Sequence, residues 1–187
     1  MILPIFAYGS PVLKQKAAEI KPEHQNLNEL IQNMFETMYQ AHGVGLAAPQ
    51  VGESLRLFVV DASPFADEEP ELDGYKNVFI NAQMLDEQGE KWKFNEGCLS
   101  IPTIREDVER KPNIRIRYFD QEFNQREEEF SGLLARIIQH EYDHIEGILF
   151  TDRISQLRKT LIRSKLQHIS RGNVKVDYRM KYPMQRK

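Results

Sequence analysis

Apolar positions fall into two rhythms along the chain. Leu30, Ile31, Met34, Met38 and Tyr39 recur at helical steps, which predicts an amphipathic helix. Asn26 or Asn28 can cap it, and Gly43 follows its end. Residues 55–61 are rich in branched and aromatic side chains and predict a strand. Pro64, Pro70, Gly74 and a group of acids mark residues 62–74 as an exposed loop. Short strands are expected at 77–81 and 91–94. Ile114, Ile116 and Tyr118 alternate with polar residues, as in a half-buried strand, and 123–130 suits its hairpin partner.

The strongest helical pattern covers residues 131–146. Ser131 is a suitable N-cap, Gly147 a suitable stop, and Leu133, Leu134, Ile137, Ile138 and Ile145 form a wide apolar face. A second helix is expected at 153–170, with Ile154, Leu157, Leu161 and Ile169 as its stripe. After Gly172 the pattern fades. The expected fold class is α+β: short antiparallel strands packed around a central helix, with a C-terminal helix and a basic tail. The division is one body, residues 1–170, and a tail, 171–187.

Composition adds one asymmetry. The 187 residues carry a formal net charge of −3, which excludes a strongly basic nucleic-acid binder as a whole. From 153 to 187, however, eleven basic residues meet a single acid, Asp177, for a net of +10, so the preceding residues carry −13. The single cysteine, Cys98, cannot form an intramolecular disulfide, which suits a reducing cytoplasm. No basic leader followed by an apolar run, and no membrane-spanning stretch, stands out.

The chemistry-bearing residues lie in three short segments. On the central helix, His140 and His144 are four residues apart, so their rings share one face, with Glu141 beside them. His-Glu-x-x-His suits a metal site in which the carboxylate handles the proton of a water. A catalytic site of this type takes three protein ligands. Cys98, in Glu96-Gly97-Cys98-Leu99-Ser100, can supply a thiolate; alternatively, Cys98 is a small buried hydrophobe. His168 is the other candidate ligand, and it would make the chain a zinc endopeptidase. Gly43-Val44-Gly45-Leu46-Ala47-Ala48-Pro49-Gln50 is either a tight turn after a helix or a place where a substrate backbone lies close, with Gln50 donating to an oxyanion.

Together these segments resemble the three signature motifs of the peptide deformylase family, in the family's order. The resemblance covers roughly residues 1–170. It implies that Cys98, His140 and His144 hold one divalent metal. Fe2+ would be the native ion, and Zn2+, Ni2+ or Co2+ could replace it. It implies removal of the N-formyl group from the initiator methionine of nascent polypeptides, releasing formate. Glu141 would be the proton carrier, and the Gln50 side chain and the Leu99 backbone N–H would meet the formyl oxygen. Val44 and Leu133 would line the methionine pocket, and the backbone near Gly45 would pair with extended substrate. Arg105 would contact the peptide further on.

Arg136 shares the face of His140, and its charge either pairs with an acid or stays outside the pocket. Asp143 and Glu96 are expected to support the ligands and Tyr142 to pack. The basic end is either a solvated surface or a dock for ribosomal RNA through Arg158, Lys159, Arg163 and Lys165.

Overall fold

The computed structural model describes residues 1–183. The fold is α+β, with the strands antiparallel except where the two chain ends meet. Among the described residues three α-helices form: α1 (Leu27–Gln40), α2 (Gly132–Ile145) and α3 (Gln156–Ser170). The strands are β1 (Ile5–Phe6), β2 (Gly45–Ala47), β3 (Leu57–Asp61), β4 (Lys76–Gln88), β5 (Trp92–Cys98), β6 (Ile101–Arg110), β7 (Asn113–Phe119), β8 (Gln125–Ser131) and β9 (Met180–Lys181).

Five strands make one sheet in the order β2-β3-β4-β7-β8. The run Leu57-Phe58-Val59-Val60 is apolar at every position because both faces of β3 are covered. Phe58 and Val60 face a core shared with Leu133, Ile137 and Ile138 of α2. Leu57 and Val59 face the other way, toward Ile31, Met34 and Met38 of α1. Phe58 stacks on Phe79 with ring centroids 4.7 Å apart, filling the layer beneath α2. The hairpin β5–β6 stands apart from this sheet. Its inward residues Ile104 and Val108 pack with Ile162, Leu166 and Ile169 of α3. Gly147 ends the central helix at φ 74°. A Cβ there would sit 2.9 Å from the Lys14 backbone, so both conformation and space call for glycine.

Four features depart from the sequence expectations. Strand β6 was not expected; its acids and arginine obscure the alternation of Ile104, Glu106, Val108 and Arg110, all of which point inward. Helix α3 begins at Gln156, where the Ser155 hydroxyl accepts from Arg158 N–H at 3.3 Å, after a 3₁₀ turn at Phe150–Asp152. Its buried stripe is Ile162, Leu166 and Ile169, whereas Leu157 and Leu161 are 70% and 59% exposed. The loop 62–74 contains two short 3₁₀ turns and buries Leu72.

The fourth concerns the segment after Gly172. Ile5 N–H donates to the Arg179 carbonyl at 2.8 Å and Ala7 N–H to that of Lys181 at 2.9 Å, so β9 pairs in parallel with β1. Arg186 and Lys187 of the expected tail lie outside the described residues. Replacing Phe58, which is fully buried between sheet and helix, with Ala should cost about 3–5 kcal/mol. Urea denaturation monitored by circular dichroism measures it.

Candidate metal centre

Burial of α2 against the sheet aims one face of the helix at the β5–β6 hairpin. His140 and His144 stand one turn apart on that face, with ring centroids separated by 5.1 Å. The end of β5 brings Cys98 to them. Donor atoms of Cys98, His140 and His144 all lie within 4.8 Å of one another. Cys98 Sγ is 3.3 Å from His144 Nε2. His168 is exposed on α3 and stands outside this group.

The other predicted residues converge here. Gln50 sits in the 3₁₀ turn Ala48–Val51 that follows β2, and it is 2% exposed. Its Oε1 accepts from Ala47 N–H at 2.9 Å, which fixes the amide. Its Nε2 then faces Cys98 Sγ at 3.5 Å and Ser100 Oγ at 3.2 Å. Glu141 is buried, and its Oε2 has no partner among the described residues. Burial pushes its carboxyl up to about 7. Gly45 lies against this carboxylate, and a Cβ there would collide with it.

A cavity of about 660 Å³ opens over the cluster. Val44, Gly45, Leu99, Arg105 and Leu133 all line it, as do Gln50, Cys98, His140 and Glu141. Arg105 donates to the Asn95 side-chain oxygen at 2.9 Å and to its carbonyl at 2.5 Å, so its guanidinium is held along the hairpin.

The support beneath the cluster is a buried charge network. Glu96 is 4% exposed. Its Oε2 faces His140 Nδ1 at 3.0 Å, and its Oε1 accepts from Arg110 at 2.7 Å and from Arg136 at 3.0 Å. Burial opposes the charge on Glu96, yet hydrogen bonds from Arg110 and His140 hold its carboxyl well below the usual carboxylate range. Arg136 therefore pairs with an acid: it also donates to the Trp92 carbonyl and lies 4.5 Å from the centroid of the Trp92 ring. Arg110 also donates to Asp143 at 2.8 Å, and Arg153 binds the same carboxylate. Tyr142 faces away from the cluster, with the Arg56 guanidinium 5.9 Å from its ring centroid.

Sequence reasoning missed Arg110, Ser100 and Tyr178. The signal for Arg110 was its phase: it falls two residues after Val108 and four after Glu106 on one face of β6.

The donor set fits a divalent metal. Glu96 occupies Nδ1 of His140, leaving Nε2 as the lone-pair donor. A thiolate and two imidazoles suit zinc and first-row transition ions. One further group at the cluster, Glu141 Oε2, is buried without a partner among the described residues. Bare, such a cluster would be costly.

The fold and this cluster define a class: an α+β protein with a Cys-His-His cluster of the metal-enzyme type, its histidines on a His-Glu-x-x-His helix and its cysteine at the end of β5. Residues 2–160 match the polypeptide deformylase family. The chain is 58% identical to the peptide deformylase of Flavobacterium psychrophilum, with 97% of each chain covered. It is 56% identical to that of Christiangramia forsetii, covering 100% of this chain and 99% of the relative. Among solved structures, a peptide deformylase from Legionella pneumophila superimposes with a TM-score of 0.80 at 36% identity, covering 92% of this chain and 98% of the other. That from Thermus thermophilus gives 0.80 at 38%, covering 90% and 98%. The chain belongs to the polypeptide deformylase family. It is a metal-dependent enzyme that removes the N-formyl group from the initiator methionine of nascent polypeptides.

Removing Arg110 would leave Glu96 and Asp143 as buried acids short of a partner. Arg110→Ala should therefore lose about 3–5 kcal/mol of stability, read by urea denaturation.

Proposed function

We propose that Cys98, His140 and His144 hold the metal and that Glu141, Gln50 and Leu99 carry out the deformylation with it. The observation that carries this reading is the Cys-His-His cluster at the floor of the cavity, with a buried Glu141 oxygen beside it that has no partner among the described residues. Fe2+ is the ion we assign as native; Zn2+, Ni2+ and Co2+ suit the same donors. A bound divalent ion supplies Lewis acidity, polarising the formyl carbonyl and lowering the pKa of water.

The remaining work belongs to the protein. Glu141 accepts the proton of the attacking water and delivers it to the leaving amine, so water and formamide become formate and a free amino group. The Gln50 Nε2 and the Leu99 backbone N–H donate to the oxygen that gains charge. Gln50 needs no rearrangement, since Ala47 already holds its other end. The missing Cβ of Gly45 leaves room for the Glu141 carboxylate to stand against the β2 backbone.

Val44 and Leu133 form the apolar wall for the methionine side chain. β2 is an edge strand of the five-stranded sheet, so the backbone at Gly45 can pair with an extended peptide. Main-chain pairing of this kind accepts many sequences, as an enzyme of nascent chains must. Arg105 stands at the cavity wall, where the peptide beyond methionine would pass.

The setting is the cytoplasm, and the partner for the basic end is ribosomal RNA. Among the described residues no helix is long and apolar enough to cross a membrane. Within the basic group, Arg158 is held by Glu106 at 2.8 Å and Lys159 donates to the Asp152 carbonyl at 2.9 Å. Exposed Arg163 and Lys165 carry the contact in this reading, with Arg158 and Lys159 at its margin.

Glu141→Ala should lower formate release from formyl-Met-Ala-Ser by about 10²- to 10⁴-fold while metal content is retained. Near-parent turnover would remove Glu141 from its role. Cys98→Ala should lose the metal, measured by anaerobic metal analysis, which on the wild type also identifies the resident ion. Reversing Arg163 and Lys165 to Glu should weaken salt-sensitive cosedimentation with ribosomes roughly tenfold.

A further inference from the structure

The chain beyond α3 was expected to be a basic tail, yet it returns to the cavity. In residues 173–180, Val174, Val176, Tyr178 and Met180 are half-buried, and their neighbours Asn173, Lys175, Asp177 and Arg179 are exposed. This is the alternation of an extended strand with one face on the body. Three contacts fix its course. The pairing of β9 with β1 anchors its far end. Asp177 reaches His42, at the end of α1, with 3.5 Å between Oδ2 and Nε2. Between them, the Tyr178 hydroxyl donates to the Leu99 carbonyl at 2.8 Å. Residues 175–178 line the same cavity as Cys98, His140 and Glu141. The family match ends at residue 160, so this segment lies beyond the matched region.

Leu99 follows the ligand Cys98 at the turn where the register of β5 and β6 shifts. The ladder therefore does not hold this turn as it holds the rest of the hairpin. Packing restrains the Leu99 side chain: a Cβ on Gly43 would lie only 2.8 Å from its Cδ1. The Tyr178 hydroxyl restrains the carbonyl. With side chain and carbonyl both held, the Leu99 Cα is anchored on two sides, and the N–H in the adjoining peptide plane has less room to swing.

We propose that Tyr178 is a positioning residue for deformylation: through the Leu99 carbonyl, the C-terminal return segment aims the Leu99 N–H at the formyl oxygen. The inference rests on the reading of Leu99 as an oxyanion donor. Preorganised donors stabilise developing charge without reorganising at the moment of reaction, so a loosened donor acts on turnover more than on substrate binding.

Tyr178→Phe keeps the ring and its packing and deletes the hydroxyl. With formyl-Met-Ala-Ser, kcat should fall about tenfold, less than the loss of a whole donor, while KM stays within about twofold. Hydrogen exchange followed by NMR on the zinc-loaded protein gives a readout independent of turnover. The Leu99 and Ser100 amides should exchange at least about fivefold faster in the variant, with exchange in α2 unchanged. A kcat within twofold of wild type, a change confined to KM, or unchanged exchange at Leu99 would each overturn the proposal. Faster exchange throughout α2 would do so as well, since it would show general destabilisation. Gln50→Ala, run in parallel, separates the two levels. If it loses turnover while Tyr178→Phe does not, the positioning role fails and the oxyanion site stands. If neither variant loses turnover, the oxyanion reading itself falls.

Discussion

The Glu96 carboxylate sits at the point where β5, β6 and α2 meet, and it is almost fully shielded from water. Arg110, Arg136 and His140 all contact it, from two different elements. A buried charge costs several kcal/mol unless its partners are well placed, so the positions of these groups are mutually constrained. Arg110 extends the constraint to Asp143, one residue before His144. The network thus ties the hairpin that supplies Cys98 to the helix that supplies both histidines. It also selects the nitrogen of His140 that is left free for a metal.

Around this tie, the sheet provides stiffness. α1 and α2 cover its opposite faces, and Phe58 and Phe79 stack under α2 where the helix carries its chemistry. The cavity walls come chiefly from the turn and edge strand near Gly43, the end of β5 with the start of β6, α2 from Leu133 to Glu141, and the return segment after α3. Each stretch is held by contacts outside the cavity, which is the condition for donors and ligands to be in place before substrate arrives.

The charge asymmetry is partly an internal match. The acidic body and the basic end meet at Arg153 with Asp143, at Arg158 with Glu106 and at Lys159 with the Asp152 carbonyl. Asp143 and Glu106 are both buried, so these basic residues complete the packing of the hairpin and the central helix. The positive surface left on α3 is accordingly narrower than the count of +10 implies, and it is flanked by the exposed Leu157 and Leu161.

Local pattern was enough to place α1, α2, β3, β7 and the first part of β4, because their buried positions are apolar; β2 was read as a turn, and β8 is polar and exposed. The chemistry of α2 was legible for the same reason: two histidines four apart on a helix must share a face. The pairing of Cys98 with them was legible only through the resemblance of three motifs, since a lone cysteine has no period. Strand β6 escaped notice because its inward positions include Glu106 and Arg110, whose burial makes sense only once their partners from α3, β5 and α2 are present. Val174, Val176, Tyr178 and Met180 did alternate, but exposed charges between them gave the look of a basic tail. The sequence by itself determined the helices, the fold class and the three reactive segments, all of which depend on neighbours within a few residues. The charge network beneath His140, the phase of α3 and the return of Tyr178 to Leu99 were decided by tertiary structure. Each depends on groups tens of residues apart whose burial is favourable only when all of them meet.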